Sequence, residues 1–299
     1  MARFSNHISV RHCSIAESTD NKPLISIIMP FLNVEEYIGE AVKSVINQSF
    51  YDWELIAVDS ESTDSSRIIV EGLQKQDSRI RLFDEKRRGV AYARNLGLKV
   101  SRGEFVAFID ADDLYCPEKL KAQFMLMQKN PQVSCCFTAH SVVYNDGSIT
   151  DMILNKSSES VLSDDFLRYF LLRSQYTSLC LATALIRKRV INDNAFDVRL
   201  KRGEDWDFFL RVLRNKKSCY LRKPTYFYRT RKNSITHNAS ARWNYLDSRI
   251  QIYLKLLPVV PSLSLKVTVA KKIFWLIFSN TRELRPLVES RVARMHGAD

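Results

Sequence analysis

The chain of 299 residues is 45% hydrophobic and 26% charged, the composition of a globular protein with ample core material for one large domain or two small ones. It contains no uncharged run of about 18 residues, so we predict no transmembrane helix. The net charge of +12 suits nucleic acid, an anionic membrane surface or a phosphorylated ligand, and the sign alone does not choose among them.

The cysteines and the N-terminal segment indicate a cytoplasmic protein. Six cysteines occur without a C-x-x-C pair, and the adjacent Cys135 and Cys136 lie in an apolar stretch. This usage disfavours a disulfide framework or a zinc cage and predicts buried, reduced thiols. Residues 1–22 lack the apolar segment of a signal peptide, and we expect them to form a mobile tail.

Buried strands and helices alternate from Pro23 onward. The predicted strands are 24–30, 54–59, 79–84 and 104–110, and the predicted helices are 35–47, 65–76 and 89–100. Continuous apolar strands in such an alternation predict a parallel sheet with helices on both faces. Ligands of these sheets bind at the carboxyl ends of the strands, where Asp59 and Asp110 stand.

The alternation loosens after Pro117. A strand and hairpin are predicted at 134–150 with Asp146-Gly147 as the turn, further strands near 180–187 and 218–228, a helix from about Gly203, and helices only from about residue 241. The predicted organisation is one main domain at 23–238, with halves at 23–130 and 131–238, followed by a helical extension at 239–299.

The stretch FVAFIDADDL (105–114) places Asp110, Asp112 and Asp113 directly after a predicted buried strand. These acids repel one another and lose hydration when partly buried, so a positive group must stand opposite them. Two carboxylates at a strand end suit a divalent cation, which could also bridge a diphosphate. A solvated turn ahead of a helix N-terminus would explain the same acids, and the short motif alone does not decide between the two.

Several segments follow one another in a fixed order: PLISIIMPFLNVEEYIGEAVKSVINQSF, WELIAVDSESTD and RRGVAYARNLGLKVSRGEFVAFIDADD within 23–130, then RGEDWDFFLRVL at 202–213 and YRTRKNSIT at 228–236. Together they resemble motifs of family 2 glycosyltransferases, which implies a nucleotide-sugar-binding half at 23–130 and an acceptor-binding half at 131–238. The resemblance implies the GT-A fold, an α/β fold whose mostly parallel, Rossmann-like sheet is flanked by helices. It also implies a nucleotide-sugar donor, with a UDP-sugar as the first choice.

The resemblance assigns roles at the donor. Asp59 resembles the acid that holds the nucleobase, and Arg94 lies in a segment that runs beside the nucleotide. Asp110 and Asp112 resemble ligands of a divalent metal (Mn²⁺ or Mg²⁺) and of the ribose and diphosphate, with Asp113 a close second for the metal. The residues expected to bind the donor are Pro30, Asn33, Glu35, Asp59, Arg94, Asp110, Ala111, Asp112, Arg229 and Arg231.

Asp205 resembles the family's general base, and Glu204 and Trp206 beside it are expected at the acceptor. Helical spacing of apolar residues from Trp206 to Leu213 independently places both acids in the first turn of a core-facing helix. Simple complementation of the helix dipole would explain acids there when the upstream motifs are ignored. A base opposite the leaving group implies one displacement with inversion, and the metal would offset charge on the departing diphosphate.

Two departures from the family pattern bear on the donor. The usual Asp-Asp-Gly-Ser after the second strand is replaced by Asp59-Ser60-Glu61-Ser62, which removes an acid and a flexible glycine. Arg231 stands where a histidine is common, and an arginine can still bind diphosphate. Arg229 and Arg231 therefore form either a phosphate clamp or a solvated basic loop.

The C-terminal stretch LKVTVAKKIFWLIF (265–278) has an apolar arc wider than one buried stripe requires. From Lys266 onward, the chain contains seven basic residues and three acids. A basic amphipathic helix of this kind predicts contact with a membrane surface through 263–299, which would place the enzyme on the inner face of the cell membrane. Packing on the catalytic domain or on a partner subunit is the equally weighted alternative.

The leading hypothesis is an inverting, metal-dependent glycosyltransferase that acts on a glycan or lipid-linked glycan in surface polysaccharide synthesis. A catalytically silent subunit of a glycan-assembly complex is the alternative that the Ser60-Glu61 change keeps open. A nucleic-acid-binding protein is disfavoured, because most aromatic residues lie in apolar runs rather than among exposed basic residues. We therefore expect no nucleic-acid partner.

Overall fold

The computed structural model describes residues 22–144, 148–152, 180–230, 239–260 and 262–279, which contain a nine-stranded sheet and its covering helices. The strands are β1 (Ile25–Phe31), β2 (Trp53–Asp59), β3 (Ile80–Asp84), β4 (Phe105–Phe108), β5 (Leu114–Tyr115), β6 (Val133–Val143), β7 (Ile149–Met152), β8 (Leu185–Arg187) and β9 (Lys217–Arg229). The helices are α1 (Ile38–Ile46), α2 (Ser66–Gln74), α3 (Val90–Val100), α4 (Lys119–Lys129), α5 (Lys188–Ile191), α6 (Glu204–Val212), α7 (Ala239–Leu256) and α8 (Leu263–Ser279).

The first half of the sheet is parallel, as the alternation predicts. Its strands lie in the order β3-β2-β1-β4, and every residue of β1, β2 and β4 is buried. Helix α3 packs tightly on β1, because a Cβ at Gly97 would stand 2.5 Å from Ile28. This close approach fixes the helix that carries Arg94 relative to the strand ends.

The second half of the sheet is mixed. Strand β8 runs antiparallel to both β4 and β6, β6 runs parallel to β9, and β5 runs antiparallel to β9. The strict alternation of strand and helix, which supplies the long crossovers of parallel strands, ends at β4, because β5 follows it without an intervening helix. The prediction of a parallel sheet is therefore confirmed for the first half only, and the predicted strand near 180–187 shortens to β8.

Hydrophobic side chains form two core clusters. The smaller cluster includes β1 and α1 residues such as Ile27 and Val42, and the larger one includes Phe208 of α6. Helices α7 and α8 contribute Ile252 and Val269 to the larger cluster, so part of the predicted extension shares a core with α6. Five cysteines lie in the described residues and all have free thiols, while Cys13 and the predicted Asp146-Gly147 turn lie outside them.

No helix among the described residues is long and apolar enough to cross a membrane.

Candidate active site

The loops after β1 and β2 are joined by hydrogen bonds between side chains and backbone. Strand register places Phe31 beside Asp59. The Oδ1 atom of Asn33 accepts a hydrogen bond from the backbone N of Thr63 at 2.8 Å, and the Oε2 atom of Glu35 accepts one from the backbone N of Ser65 at 2.8 Å. Asn33 and Glu35, both predicted at the donor, therefore fix the shape of this strand end.

Asp59 lies at the end of β2 with its side chain only 4% exposed. Its Oδ1 atom accepts a hydrogen bond from the backbone N of Ser62 at 2.9 Å, and its Oδ2 atom faces the Nη1 atom of Arg67 at 3.4 Å. Arg67 also pairs with Asp84 at the end of β3. Sequence reasoning missed Arg67, although its place at the start of the helix after β2 is a signal that could have found it.

Glu61 stands at the position where the family pattern has glycine, and it keeps a left-handed backbone with φ of +64°. A side chain costs about 1–2 kcal/mol in this conformation. The left-handed backbone that a glycine adopts freely is therefore present at Glu61 despite its side chain.

Arg94 connects two acids that are far apart in sequence. Its Nη1 atom donates to the Oε1 atom of Glu204 at 2.6 Å, and its Nη2 atom donates to the Oδ1 atom of Asp110 at 3.3 Å. The side chain is 8% exposed, and its guanidinium lies 5.6 Å from the ring centroid of Phe196. Its buried Nε atom has no hydrogen-bond partner. Arg94 therefore joins the D-x-D turn to the N-terminus of α6.

Helix α6 begins directly after Gly203, whose φ is +71°. A Cβ at this position would also stand 3.2 Å from Ile252 of α7, so glycine suits both the turn and the packing. The turn presents Glu204 and Asp205 at the start of the helix, as the sequence predicts.

Asp205 has the protonation behaviour that a base near neutral pH requires. Its Oδ1 atom accepts a hydrogen bond from the backbone N of Trp206 at 2.8 Å. Removal from bulk water, followed by the neighbouring Glu204 charge, raises the pKa of the Asp205 carboxyl to about 7, and the Arg94 guanidinium opposes this rise. The carboxyl can therefore gain and lose a proton in the physiological range.

The three acids of the D-x-D turn occupy different surroundings. Asp113 is 1% exposed; its Oδ1 atom accepts a hydrogen bond from the backbone N of Arg229 at 2.7 Å, and its Oδ2 atom accepts one from the Tyr226 hydroxyl. Burial, then the charges of Asp110 and Asp112, raises the pKa of Asp113 well above its ordinary value. Asp110 and Asp112 are only partly buried. Asp113 therefore holds β9 to the turn, while its two neighbours remain accessible.

The remaining residues predicted at the donor or the acceptor have different surroundings. Pro30 and Ala111 are buried. The Nη2 atom of Arg229 pairs with the Oε2 atom of Glu40 at 2.8 Å, and Trp206 packs partly buried against the larger core cluster. Arg231 lies outside the described residues.

Cys180 and Phe196 also lie near the acids, and sequence reasoning missed both. Phe196 stacks on Phe208 with ring centroids 4.2 Å apart beneath Arg94. Burial, then the charge of Asp110, raises the pKa of the Cys180 thiol to about 12, so this thiol stays protonated at neutral pH. No local pattern marks either residue, because both lie in loops, and a contact between distant parts of the chain, such as the hydrogen bond from the backbone N of Phe196 to Asn95, places Phe196.

The acids form a cluster made of Asp110, Asp112, Asp113, Glu204 and Asp205, which we call the acidic cluster. Arg94 pairs directly with two of its members. In the part of the chain that the structure describes, no group of three or more His, Cys, Asp or Glu side chains converges as a complete metal site. The carboxylate oxygens of Asp110 and Asp112 are of the type that Mn²⁺ and Mg²⁺ prefer, so the side chains fit a divalent metal.

Solved structures with the same architecture define the class of the fold. The crystal structure of S. aureus TarS 1-349 in complex with UDP matches with a TM-score of 0.66 and 23% identity, covering 87% of this chain and 74% of that chain. The mannosyltransferase PcManGT from Pyrobaculum calidifontis, in complex with GDP-Man and Mn²⁺, matches with a TM-score of 0.61 and 17% identity, covering 93% of this chain and 76% of that chain. The fold is that of the GT-A glycosyltransferases.

Sequence comparison then gives the family. The model of glycosyl transferase family 2 matches residues 26–195. The putative teichuronic acid biosynthesis glycosyltransferase TuaG of Bacillus subtilis is 33% identical over 224 residues, which is 74% of this chain and 84% of TuaG. The UDP-Glc:alpha-D-GlcNAc-diphosphoundecaprenol beta-1,3-glucosyltransferase WfgD of Escherichia coli is 39% identical over 127 residues, 42% of this chain and 49% of WfgD. The chain belongs to glycosyl transferase family 2 and is a glycosyltransferase, which confirms the resemblance drawn from its motifs.

Proposed function

We propose that this glycosyltransferase transfers a sugar from a nucleotide-diphosphate donor to a hydroxyl of a lipid-linked glycan during cell-surface polysaccharide synthesis. The acidic cluster around Arg94 at the strand ends carries this proposal, because its acids divide into partly exposed metal ligands and a carboxyl with a pKa of about 7. The names of TuaG and WfgD support the choice of acceptor class.

The donor is bound between the two strand ends. Asp59 would accept a hydrogen bond from the nucleobase, and Asn33 and Glu35 hold the loops around it. A UDP-sugar is the favoured donor, since TarS has been solved with UDP and with UDP-GlcNAc. Asp110 and Asp112 would hold the divalent metal, and Asp113 positions the turn that presents them. When bound, the metal supplies positive charge that stabilises the departing diphosphate.

Asp205 removes the proton from the acceptor hydroxyl as the oxygen attacks the anomeric carbon. The new bond forms from the face opposite the leaving group, so the anomeric centre inverts in one displacement. Partial burial and the charge of Glu204 raise the pKa of the Asp205 carboxyl. Arg94 limits this rise, so that a fraction of the carboxyl is ionised at neutral pH. Arg94 is therefore a positioning residue that also tunes the base.

Product stereochemistry provides the test of this mechanism. Purified full-length chain would be incubated with a UDP-sugar, Mn²⁺ and a lipid-linked or short-chain glycan acceptor, and the anomeric configuration of the product read by NMR coupling constants. We expect inversion and loss of transfer on chelation with EDTA. A product that retains the donor configuration would contradict the role of Asp205. Absence of nucleotide binding as well as transfer would favour the silent subunit suggested by the Ser60-Glu61 change.

A further inference from the structure

Helix α8 carries apolar side chains on two faces. On one face, Leu265 and Val269 are buried in the larger core cluster. On the other face, Leu263, Val267 and Phe274 are 78%, 44% and 61% exposed. These three residues are separated by whole helical turns, so they lie along one line on the outside of the helix. Leu265 and Val269 on the buried face make the core contacts of α8, while the exposed line presents apolar side chains at the surface.

Positive charge borders this exposed line. Lys266 and Lys271 are exposed beside Val267 and Phe274, and α8 contains no Asp or Glu. Apolar side chains flanked by lysines without acids match the interface of an anionic bilayer, where the lysines meet phosphate groups and the apolar side chains enter the acyl boundary. Lysines without neighbouring acids in the helix complement a uniformly anionic surface better than a protein partner of mixed charge.

We propose that the exposed line of α8, defined by Leu263, Val267 and Phe274 with Lys266 and Lys271, docks the enzyme on an anionic lipid surface. The proposal rests on the proposed function, because a lipid-linked acceptor is presented at such a surface. It assigns the predicted membrane contact to one face of α8 and leaves the opposite face in the core.

The same helix connects the docking face to the active site. Val269 on its inner face belongs to the larger core cluster with Ile252 of α7. Ile252 in turn lies against Gly203, directly before Glu204 and Asp205. Docking through α8 therefore orients the start of α6 relative to the lipid surface, as transfer to an acceptor anchored at that surface requires.

Vesicle binding by the full chain tests the proposal. Sedimentation would compare vesicles of phosphatidylcholine alone with vesicles containing phosphatidylglycerol. We expect binding to the anionic vesicles that is lost at high salt. Val267→Asp with Phe274→Asp should weaken it at least tenfold, because burial of these apolar side chains in the bilayer interface drives docking. Lys266→Gln and Lys271→Gln should each weaken binding about fivefold.

Matched variants in α2 and directly after it control for nonspecific effects. Ile68 is 69% exposed and Lys75 is also exposed, so Ile68→Asp and Lys75→Gln make the same chemical changes at another surface and should leave binding unchanged. Point variants are preferable to truncation at residue 263, because truncation would remove Leu265 and Val269 from the core. Melting temperatures equal to wild type would confirm that the α8 variants fold.

Three results would overturn the proposal. The wild-type chain could fail to bind anionic vesicles, or the α8 and α2 variants could bind equally. Alternatively, the wild-type chain could form a dimer that Phe274→Asp dissociates, without vesicle binding, which would make the line a self-association surface. Vesicle binding is measured without donor or acceptor, so a failure of glycosyl transfer would be distinguishable from a failure of docking.

Discussion

Two neighbouring regions at the strand ends satisfy their polar groups in opposite ways. In the loops after β1 and β2, the oxygens of Asn33, Glu35 and Asp59 accept hydrogen bonds from nearby backbone N–H groups. In the acidic cluster, carboxylates crowd together around the buried cation of Arg94. The named acceptors of the first region are paired within the chain, whereas the crowded carboxylates of the second would be stabilised by further positive charge. Under the proposed function, the first region frames the donor and the second performs the chemistry.

The contrast also predicts how each region affects stability. Backbone-paired acceptors stabilise the loops, and removing one leaves a donor without its partner. Like charges held together at a site cost stability, a common trade-off between activity and folding. Neutralising Asp112 or Asp205 should therefore be tolerated by the fold even where activity is lost, whereas Asp113 also holds β9 to the turn and is the exception.

The largest expected effect is that of Asp205→Asn. Loss of the general base should lower the transfer rate about 10³-fold, within the range for such groups. Nucleotide affinity should stay unchanged, because the amide has the volume of the acid. Turnover assays with parallel calorimetry would measure both, with Glu204→Gln as the neighbouring control. Equal losses in the two variants would contradict the assignment of Asp205 as the base.

The pH dependence of Asp205 has opposite signs for activity and for stability. Transfer by the wild type should rise with pH through about 7 as the carboxyl ionises. The folded pKa is raised above its ordinary value of 3.8, so the folded state favours the protonated form and its stability should fall as pH rises from about 4 to 7. Melting curves of wild type and Asp205→Asn across this window should converge at the acid end. A constant difference between them would indicate an ordinary pKa.

Arg94→Met is expected to have the next largest effect. Without the guanidinium, the pKa of Asp205 should rise further, so the acid limb of the kcat/KM profile should move to higher pH by about one unit or more. Arg94→Lys keeps the charge but not the two-pronged geometry, and should shift the limb less. If both variants lost activity equally at every pH, Arg94 would act only through structure.

Asp112→Ala and Asp113→Ala form a matched pair from one turn. Asp113→Ala removes the acceptor for the Tyr226 hydroxyl and the Arg229 backbone N, and should lower the free energy of unfolding by about 1–3 kcal/mol. Asp112→Ala should leave stability near that of wild type. Denaturant titration would measure both variants, and the reverse order of stability would contradict the separation of roles within the turn.

The smallest effect concerns the loop after β2. Glu61→Gly should raise the free energy of unfolding by about 1 kcal/mol, because the backbone φ of +64° strains a residue with a side chain. Glu61→Ala is the control, and it should give no such gain. A gain with alanine would place the cause in the Glu61 carboxylate rather than in the backbone.

Local patterns predicted much of the fold. Continuous apolar runs predicted β1, β2 and β4. The rule that ligands bind at the carboxyl ends of parallel strands predicted that the acids there belong to the candidate site. The mixed half of the sheet was not predictable in the same way, because its pairing depends on strands without regular crossovers.

Contacts across the chain set the chemistry of the candidate site. The pair Arg94–Glu204 spans 110 residues, and the pair Tyr226–Asp113 spans 113. No periodicity or spacing marks such pairs. The sequence therefore predicted which residue types gather at the strand ends, but not that Arg94 would be buried between two acids or that Asp113 would hold β9.

The proposed function requires a divalent metal and a nucleotide diphosphate to complete the acidic cluster. Calorimetric titration of the full chain with UDP and then GDP, each with and without Mn²⁺, would measure whether they bind together. We predict that one nucleotide, UDP in the first instance, binds only with the metal, and that this binding is lost in Asp112→Ala. Equal affinity with and without Mn²⁺, retained in Asp112→Ala, would contradict the account.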